Sequence, residues 1–410
     1  MRDAFRSRTV RTFAATQFLM EVQFWFPVWL IYLLDLGFSL ATALLADAVF
    51  RIVSVVCELP MGVLADRIGR KNAYLLTCGL SAGTFAAITF ISNDAWLLGA
   101  WIAWGVLWAL NSGATAPYLY ELCAMEETPV DPAKAFGLVR AVGNSAVVCS
   151  LLAAGYLYDA DPRLPFAITA GLSVVAMILA ARLPSVPRSH DTRLRSILLS
   201  IRRELRGADV RRAVWIGALL LFFGWSARIL FQPLALDLDL SPQVTGWMYA
   251  AFAAAGVLGS TISGSVTRRR RRVAVLAAFV CIVLALASTA AADHLGPFLF
   301  LPVMGFGYAL GMTVVDVYTN EATSRAVRGA IFSVAAALAG LGIAVARPAL
   351  GLLSDDRSPA FAAGIWAVVG VGVVLIALPA IRRIPAALGP DRQSTFPWHT
   401  GDSMRDGSGH

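Results

Sequence analysis

Charged side chains inside long apolar stretches are the residues of this chain that could do chemistry. Glu21 lies near the middle of the first such stretch, and Asp316 lies within a later one. A charge at the centre of a bilayer costs about 2.5–3.5 kcal/mol by insertion scales, so it is usually functional or paired. Because lost hydration favours the neutral acid unless a cation is nearby, both carboxyl groups are candidates for binding protons, and Glu21 also for contacting a bound molecule. All four histidines lie outside the apolar stretches, so carboxylates would have to carry any such proton.

Other charges in the apolar stretches are expected to neutralise one another. Asp47 and Arg51 are four residues apart, which places them on one face of a helix. Arg347 is expected to pair locally. A structural ion-pair cluster, with a proton relay as the alternative, is predicted from four further charges: Glu58, Glu121, Arg140 and Glu321.

The apolar stretches that hold these residues have the length and composition of membrane helices. Hydrophobic residues make up 58% of the chain and charged residues 15%, against about 25% charged residues in soluble domains. Twelve stretches of roughly 20 residues can be counted, and each is long enough to cross a hydrocarbon core as a helix. Helices satisfy their own backbone hydrogen bonds in lipid. The sequence therefore predicts an all-α polytopic membrane protein.

The loops between the stretches alternate in charge. Arginines dominate the N-terminal segment, the loop at Arg67 and the run from Arg268 to Arg272, whereas the intervening loops carry mainly aspartates. By the positive-inside rule the arginine-rich loops are cytoplasmic. Both termini are therefore expected in the cytoplasm, and the chain in the inner membrane. The net charge of +8 is attributed to this topology and not to a nucleic-acid partner.

The chain is predicted to have four regions and an internal repeat. The regions are an N-terminal six-helix half (1–183), a cytoplasmic arginine-rich linker (184–210), a C-terminal six-helix half (211–383) and a disordered cytoplasmic tail (384–410). Tyr118 to Glu121 recurs as Tyr318 to Glu321, and Gly155 to Asp159 recurs as Gly351 to Asp355. Such a repeat predicts two pseudo-symmetric halves related by an axis along the membrane normal.

One charged loop between two apolar stretches carries a long motif. Its sequence, from Gly62 to Lys71, is G-V-L-A-D-R-I-G-R-K. It resembles the loop between helices 2 and 3 of the major facilitator superfamily (MFS) of secondary transporters. The resemblance implies the superfamily's fold, with twelve transmembrane helices in two six-helix halves, and a cytoplasmic gate in which the aspartate latches the halves near the start of helix 11. The gate residues are Gly62, Asp66, Arg67, Gly69, Arg70 and Lys71.

The resemblance also implies where a substrate would bind. The superfamily builds its cavity mainly from helices 1, 4, 7 and 10, which here carry the predicted substrate and proton pathway: Glu21, Asn111, Arg228, Gln232, Asp316 and Asn320. Aromatic residues also crowd helices 1, 4 and 7, which favours an amphipathic or aromatic solute. For any single aromatic residue, contact with lipid is the alternative.

The sequence therefore predicts a secondary transporter and not an enzyme. Proton-coupled export of a small amphipathic compound, a drug or a secondary metabolite, is the first hypothesis. Uptake by proton symport is the alternative, and a non-transporting receptor or enzyme on the same scaffold is a third. Helix 5 lacks the Gly-Pro-rich signature of many drug/proton antiporters of the superfamily. The expected partners are a small-molecule substrate, protons and the bilayer, with no cofactor or metal, and the chain is expected to be a monomer.

Overall fold

The computed structural model of the chain describes residues 6–125, 130–186, 194–267, 270–290, 296–324 and 327–385. Within these ranges the chain is built from α-helices, with one short 3₁₀ turn and no strand. Almost all of the predicted tail, and part of the predicted linker, lie outside the described residues.

In the described residues, the first half of the chain contains seven helices. They are α1 (Arg8–Met20), α2 (Trp29–Asp35), α3 (Leu40–Ile68), α4 (Arg70–Thr89), α5 (Asp94–Met125), α6 (Pro132–Ala160) and α7 (Leu164–Ala181). A short amphipathic helix, α8 (Leu194–Glu204), follows in the linker.

The second half repeats the pattern of long helices. They are α9 (Ala208–Ile229), α10 (Phe231–Asp237), α11 (Pro242–Thr267), α12 (Arg271–Ala290), α13 (Phe300–Ala322), α14 (Arg328–Asp356) and α15 (Pro359–Arg382), with a 3₁₀ turn at Gly296–Leu299. Within the described ranges, nine helical segments are long and apolar enough to cross a membrane, with α9 and α10 counted together.

The first span of each half is broken into two helices. The sequence predicts one uninterrupted first helix, but α1 ends at Met20 and α2 begins at Trp29. Pro27 lies in the gap, where it removes a backbone N–H and disfavours the helical conformation of the preceding residue. In the second half, α9 gives way to α10 at Leu230, three residues before Pro233. The breaks are related by the internal repeat.

The helices pair in the same way in both halves. In the first half α3 packs on α5 and α4 packs on α7, and in the second half α11 packs on α13 and α12 packs on α15. The halves meet mainly through two pairs, α3 with α14 and α6 with α11. The bundle therefore has two pseudo-symmetric halves with a seam between them, which we call the central seam.

The two ends of the bundle differ in charge. One end carries arginines at the helix termini and is called the arginine-rich end below; its members include Arg8, Arg70, Arg271, Arg328 and Arg382. The other, the aspartate-rich end, includes Asp35, Asp94, Asp159, Asp237 and Asp355. This alternation follows directly from the helix order.

Candidate functional site

A cavity of about 620 Å³ lies between α1, α5 and α6, in the half of the bundle nearer the arginine-rich end. Its walls are mostly apolar, and the polar side chains include Gln17, Glu21, Thr115, Arg140 and Asn144. A cavity of this size can hold a small molecule. The predicted pathway residue Glu21 therefore does line a cavity, together with Arg140, which was expected in an ion-pair cluster.

Glu21 occupies the point where α1 stops. It is the C-cap residue of α1, and its carboxylate accepts a hydrogen bond of 2.8 Å from Gln17 Nε2. A Cβ atom on Gly143 of α6 would lie only 3.2 Å from the Glu21 Cγ. The glycine thus leaves room for the carboxylate to stand between α1 and α6, facing the cavity.

Asp316 and Arg140 lie in different halves of the bundle, on α13 and α6. Asp316 is half-buried on α13, and Arg140 of α6 is close enough for its charge to act on the Asp316 carboxylate. Arg140 is exposed to the cavity and forms no ion pair with a carboxylate of the described residues. A carboxyl group of one half is therefore within the electrostatic influence of a cation of the other half, and a change in their separation would change the proton affinity of the carboxyl group.

The two predicted asparagines are less central. Asn111 Oδ1 accepts a hydrogen bond of 2.5 Å from Thr115 Oγ1 one turn along α5, and it is Thr115 that lines the cavity. Asn320 lies one turn from Asp316 towards the arginine-rich end, where its backbone carbonyl accepts a hydrogen bond of 2.9 Å from Arg328.

Gln232 differs from the sequence expectation. It was predicted to line the cavity, but its side chain is fully buried in the central seam. Its Nε2 donates to the Phe26 carbonyl at 2.9 Å, and its Oε1 accepts from the Leu30 N–H at 3.3 Å. Those backbone groups are left without helical partners by the break in the first span. Gln232 therefore satisfies the broken backbone of the opposite half and is not free to bind a ligand.

Two arginines from different halves lie over one tryptophan. The guanidinium carbons of Arg228 (α9) and Arg51 (α3) are 4.3 and 4.6 Å from the ring centroid of Trp225. Arg228 also lies 4.4 Å from the ring centroid of Phe26, and Arg51 lies 4.8 Å from that of Phe50. Arg228 was predicted in the pathway, whereas Arg51 was missed because Asp47, four residues away, was assigned to it.

Asp47 pairs with Arg347 instead of Arg51. Both side chains are buried, with 6% and 3% of the residue exposed, and Arg347 donates a hydrogen bond to the Asp47 carboxylate from α14. Arg347 also donates to the Trp225 carbonyl at 3.3 Å. The expected local pairing of Arg347 is therefore replaced by an ion pair between the halves. Sequence spacing could not show this, because it depends on how α3 and α14 cross.

The motif predicted as a gate forms a compact network at the arginine-rich end. Arg70 bonds Asp66 at 2.5 Å, donates to the Gly113 carbonyl at 2.8 Å and lies 3.7 Å from the Glu121 carboxylate. Lys71 donates to the Ala181 carbonyl at 2.9 Å, and Arg67 is exposed. The close approach of α5 to α3 at Gly62 depends on Gly113, since a Cβ on Gly113 would lie 3.2 Å from the Gly62 Cα, whereas a Cβ on Gly62 would meet nothing within 4 Å. Gly69 ends α3 and starts α4 with a φ of 88°.

The four charges predicted as one cluster lie in separate contacts. Glu58 accepts a hydrogen bond of 2.7 Å from Ser333 of α14. Glu121 faces Arg70 in the gate network, and Arg140 lines the cavity. Glu321 binds both terminal nitrogens of Arg271 at 2.6 Å.

At the aspartate-rich end, the internal repeat closes the seam twice with the same two residue types. Gly155 of α6 packs so tightly on α11 that a Cβ would lie 2.3 Å from the Gln243 Cα, and Gly351 of α14 packs on Ala41 of α3 at 2.7 Å by the same measure. Each glycine is followed four residues later by an aspartate. We call the four residues Gly155, Asp159, Gly351 and Asp355 the aspartate-end clamp.

Both aspartates of the clamp bind the start of a helix in the other half. Asp355 accepts hydrogen bonds from the backbone N–H groups of Leu40 and Ala41 at 3.2 and 2.8 Å, and Asp159 accepts one from the Gln243 side chain. Carboxylates favour helix N-termini because free N–H groups and the helix dipole are positive there. The repeat is visible in the sequence, but the sequence does not predict a role for it.

A model of the Major Facilitator Superfamily sequences matches this chain twice, at residues 12–232 and 214–402. The chain is 25% identical over 247 residues to the uncharacterized MFS-type transporter YxaM of Bacillus subtilis (strain 168), which covers 58% of this chain and 61% of YxaM. It is 25% identical over 166 residues to the quinolone resistance protein NorA of Staphylococcus aureus (strain MRSA252), which covers 40% of this chain and 42% of NorA. The matches thus span less than two thirds of either relative.

Solved transporter structures have the same fold. A bacterial homologue of the human lysosomal transporter Spinster, in an inward-facing and occupied conformation, superposes with a TM-score of 0.75 at 15% identity, covering 94% of this chain and 99% of that one. The nucleoside transporter NupG superposes with a TM-score of 0.73 at 14% identity, covering 92% and 100%. At these identities the likeness shows the fold alone. It confirms the fold class predicted from the sequence.

Proposed function

This chain belongs to the Major Facilitator Superfamily of membrane transporters, and from that premise we propose that it exports a small amphipathic compound in exchange for protons by alternating access. Transport by rocking two halves about a central site is the mechanism that such a repeat supports. In this proposal the arginine-rich end faces the cytoplasm, and the chain works as a monomer in the inner membrane. Similarity to the quinolone resistance protein NorA supports export as the direction.

One observation carries the proposal: the cavity that contains the carboxyl group of Glu21 lies towards the arginine-rich end, while the clamp joins the halves at the aspartate-rich end. Glu21 and Arg140 line the cavity, and the charge of Arg140 acts on Asp316 in the other half. A proton on either carboxyl group removes its charge and changes how strongly that group attracts Arg140. Opening one end while closing the other would expose the same groups to the opposite side of the membrane.

The proposed coupling has a simple order. A deprotonated Asp316 stabilises Arg140 near α13, and protonation releases the arginine. Binding of a proton from the more acidic side thereby biases the equilibrium between the two conformations, because the conformations differ in the strength of this contact. The gate motif around Arg70 holds α3, α4 and α5 of the first half as one body during the change.

Flux in proteoliposomes tests this proposal. Purified protein is reconstituted with the arginine-rich end facing outwards, a panel of amphipathic compounds is added outside, and the lumen is made acidic. We expect uptake of at least one compound that stops when the pH gradient is dissipated. Flux in the opposite direction under the same gradient would instead support proton symport, and binding without flux under any gradient would refute transport.

A matched control separates coupling from folding. Asp316→Asn is compared with Asp356→Asn, which changes an aspartate that is exposed and pairs only with Arg357 among the contacts described. The Asp316 variant should lose gradient-driven flux, and the control should retain it. Equal flux in both would remove Asp316 from the mechanism.

A further inference from the structure

The geometry points to a binding site for an organic anion at the central seam, where Arg51 and Arg228 lie over Trp225. This inference rests on the proposed function and adds the chemical class of the substrate. The ligand would have a carboxylate, sulfonate or phosphate group on a flat apolar body. We call the site formed by Arg51, Arg228 and the aromatic rings around them the arginine site.

The positive charges of Arg51 and Arg228 have no counterion among the described residues. Neither Arg51 nor Arg228 forms an ion pair with a carboxylate in the part of the chain that the structure describes. Asp47, one turn from Arg51, is bound by Arg347. The Arg51 Nε is buried and has no hydrogen-bond partner among the described residues. Two intramembrane cations without a counterion are costly, and a bound anion would neutralise them.

The guanidinium groups of Arg51 and Arg228 converge on one tryptophan ring. Both guanidinium carbons lie within 4.6 Å of the Trp225 ring centroid, so they are no more than about 9 Å apart. At this separation one ligand can contact both guanidinium groups. Arginine donates hydrogen bonds from a planar fork that matches carboxylate and phosphate oxygens. The arginines come from different halves, α3 and α9, so one ligand would bridge the seam.

Aromatic rings surround the two arginines. Trp108, Phe26 and Phe252 have ring centroids 6.0, 4.4 and 5.7 Å from the nearest of the two guanidinium carbons. Gly224 also lets Tyr308 of α13 lie against α9, since a Cβ there would be 2.5 Å from the Tyr308 ring. These rings come from both halves. They suit a flat apolar body attached to the anionic group, and they stabilise the arginines while the site is empty.

The arginine site lies apart from the proposed proton-binding groups. Glu21 and Arg140 lie in the cavity between α1, α5 and α6, whereas the arginine site lies on α3 and α9. An anion held by two arginines does not need the carboxyl group of Glu21. The two functions can therefore be tested by different variants.

Binding of 2-naphthoate tests the proposal, with methyl 2-naphthoate as its neutral analogue and 2-naphthylmethylammonium as its cationic one. The full-length protein is placed in nanodiscs of zwitterionic lipid, so that no anionic headgroup competes, and binding is measured by equilibrium dialysis. We expect the anion to bind at least tenfold more tightly than either analogue, because charge-assisted hydrogen bonds form only with the anion. Equal binding of the three compounds would overturn the proposal.

Variants locate the site. Arg51→Gln and Arg228→Gln should each weaken 2-naphthoate binding by about tenfold or more, and the matched lysine variants, which keep the charge, should weaken it less. Arg357→Gln, at an arginine whose side chain is 68% exposed, is the control and should bind normally. Thermal unfolding of every variant checks that it folds. Folded glutamine variants that bind like the unaltered protein would place the anion elsewhere.

Flux measurements keep the two proposals distinguishable. Binding of 2-naphthoate that depends on Arg51 and Arg228, with no flux of any compound, would refute transport and leave the arginine site intact. Proton-driven flux of cationic or neutral compounds, with no anion binding, would refute the arginine site and leave the transport proposal intact. Stabilisation by anionic nanodiscs, but not by 2-naphthoate, would instead identify an anionic lipid headgroup as the ligand. The measurement is the thermal unfolding midpoint of the unaltered protein and of the glutamine variants.

Discussion

Single side chains at the central seam have partners that decide what they can do. Asp316 is under the electrostatic influence of Arg140 from the other half, and Glu21 lines a cavity beside a glycine that makes room for it. The side chain of Gln232, by contrast, forms its hydrogen bonds with the backbone of the first span. Polar residues predicted as equivalent from their place in the sequence therefore have different roles in the fold.

Glu21→Gln should reduce gradient-driven transport while leaving exchange of substrate across the membrane at equal pH. Glutamine keeps the size and the hydrogen bond to Gln17 but cannot release a proton. The measurement compares gradient-driven flux with substrate counterflow in the same proteoliposomes. A parallel loss of both activities would show that Glu21 serves folding or substrate binding and not proton coupling.

Gly69→Ala should destabilise the protein by about 1 kcal/mol or more, because Gly69 has a φ of 88°, which an alanine adopts only with strain. Gly372→Ala is the control, since its Cβ would meet nothing within 4 Å. Alanine in a helix interior is favoured over glycine by roughly 0.5–1 kcal/mol, so the control should be neutral or stabilising. The midpoints of thermal unfolding in detergent provide the comparison, and equal shifts would contradict the argument.

Pairs of helices form the joints between the halves. The contact of α3 with α14 contains the buried ion pair of Asp47 and Arg347 and, further along, the hydrogen bond between Glu58 and Ser333. At its far end the same contact contains Asp355 of the clamp. One helix pair therefore spans the molecule from the aspartate-rich end towards the arginine-rich end.

Arg347→Met should be more damaging than the double variant Asp47→Leu/Arg347→Met. The single change leaves a buried carboxylate without its partner, which costs about 3–5 kcal/mol, whereas apolar replacement of both partners is often tolerated. A double-mutant cycle on thermal unfolding measures the difference. A double variant no more stable than Arg347→Met would mean that the two residues do not form the pair in the membrane.

Bulk at the clamp glycines should open the aspartate-rich end. Gly351→Val places a side chain where a Cβ would lie 2.7 Å from the Ala41 Cα, so α14 and α3 must separate. Gly171→Val is the control, because a Cβ atom at Gly171 would meet nothing within 4 Å. Reaction of an introduced cysteine at Ser354, which is buried while this end is closed, with an impermeant maleimide measures the opening. Equal labelling of both variants would contradict the role of the clamp.

At the scale of the whole molecule, the clamp joins the halves at one end, and the cavity of the first half lies towards the other end. The clamp repeats once in each half, so the closure has the same pseudo-symmetry as the helices. The gate motif at the opposite end is present in one half only: its counterpart after Gly264 lacks an aspartate. The two ends are therefore built differently, and we expect them to open and close by different contacts.

Substrate should move the two ends in opposite directions. Spin labels at Lys134 and Arg382 would report the arginine-rich end, and labels at Asp161 and Asp356 would report the other. Rocking of rigid halves predicts that the first distance shortens as the second lengthens when substrate and acid are added. Distances that change together, or not at all, would exclude rocking.

The fold was largely predictable from the sequence because its signals are local. Runs of about 20 apolar residues determine helices in lipid, loop arginines mark one end, and the motif at Gly62 identifies the family. The breaks in the first and seventh spans were missed, although Pro27 and Pro233 mark them. A proline in an apolar run does not by itself reveal whether a helix kinks or stops.

The partners of the charges were decided only by the tertiary structure. The sequence determined that Asp47, Arg51 and Arg347 are charges within membrane helices, but spacing along one helix suggested the pairing of Asp47 with Arg51. Where α3 and α14 cross, Asp47 forms an ion pair with Arg347, and Arg51 lies over the Trp225 ring instead. Hydrophobic length is a property of each segment, whereas electrostatic pairing depends on distances between segments far apart in the chain, which packing alone sets.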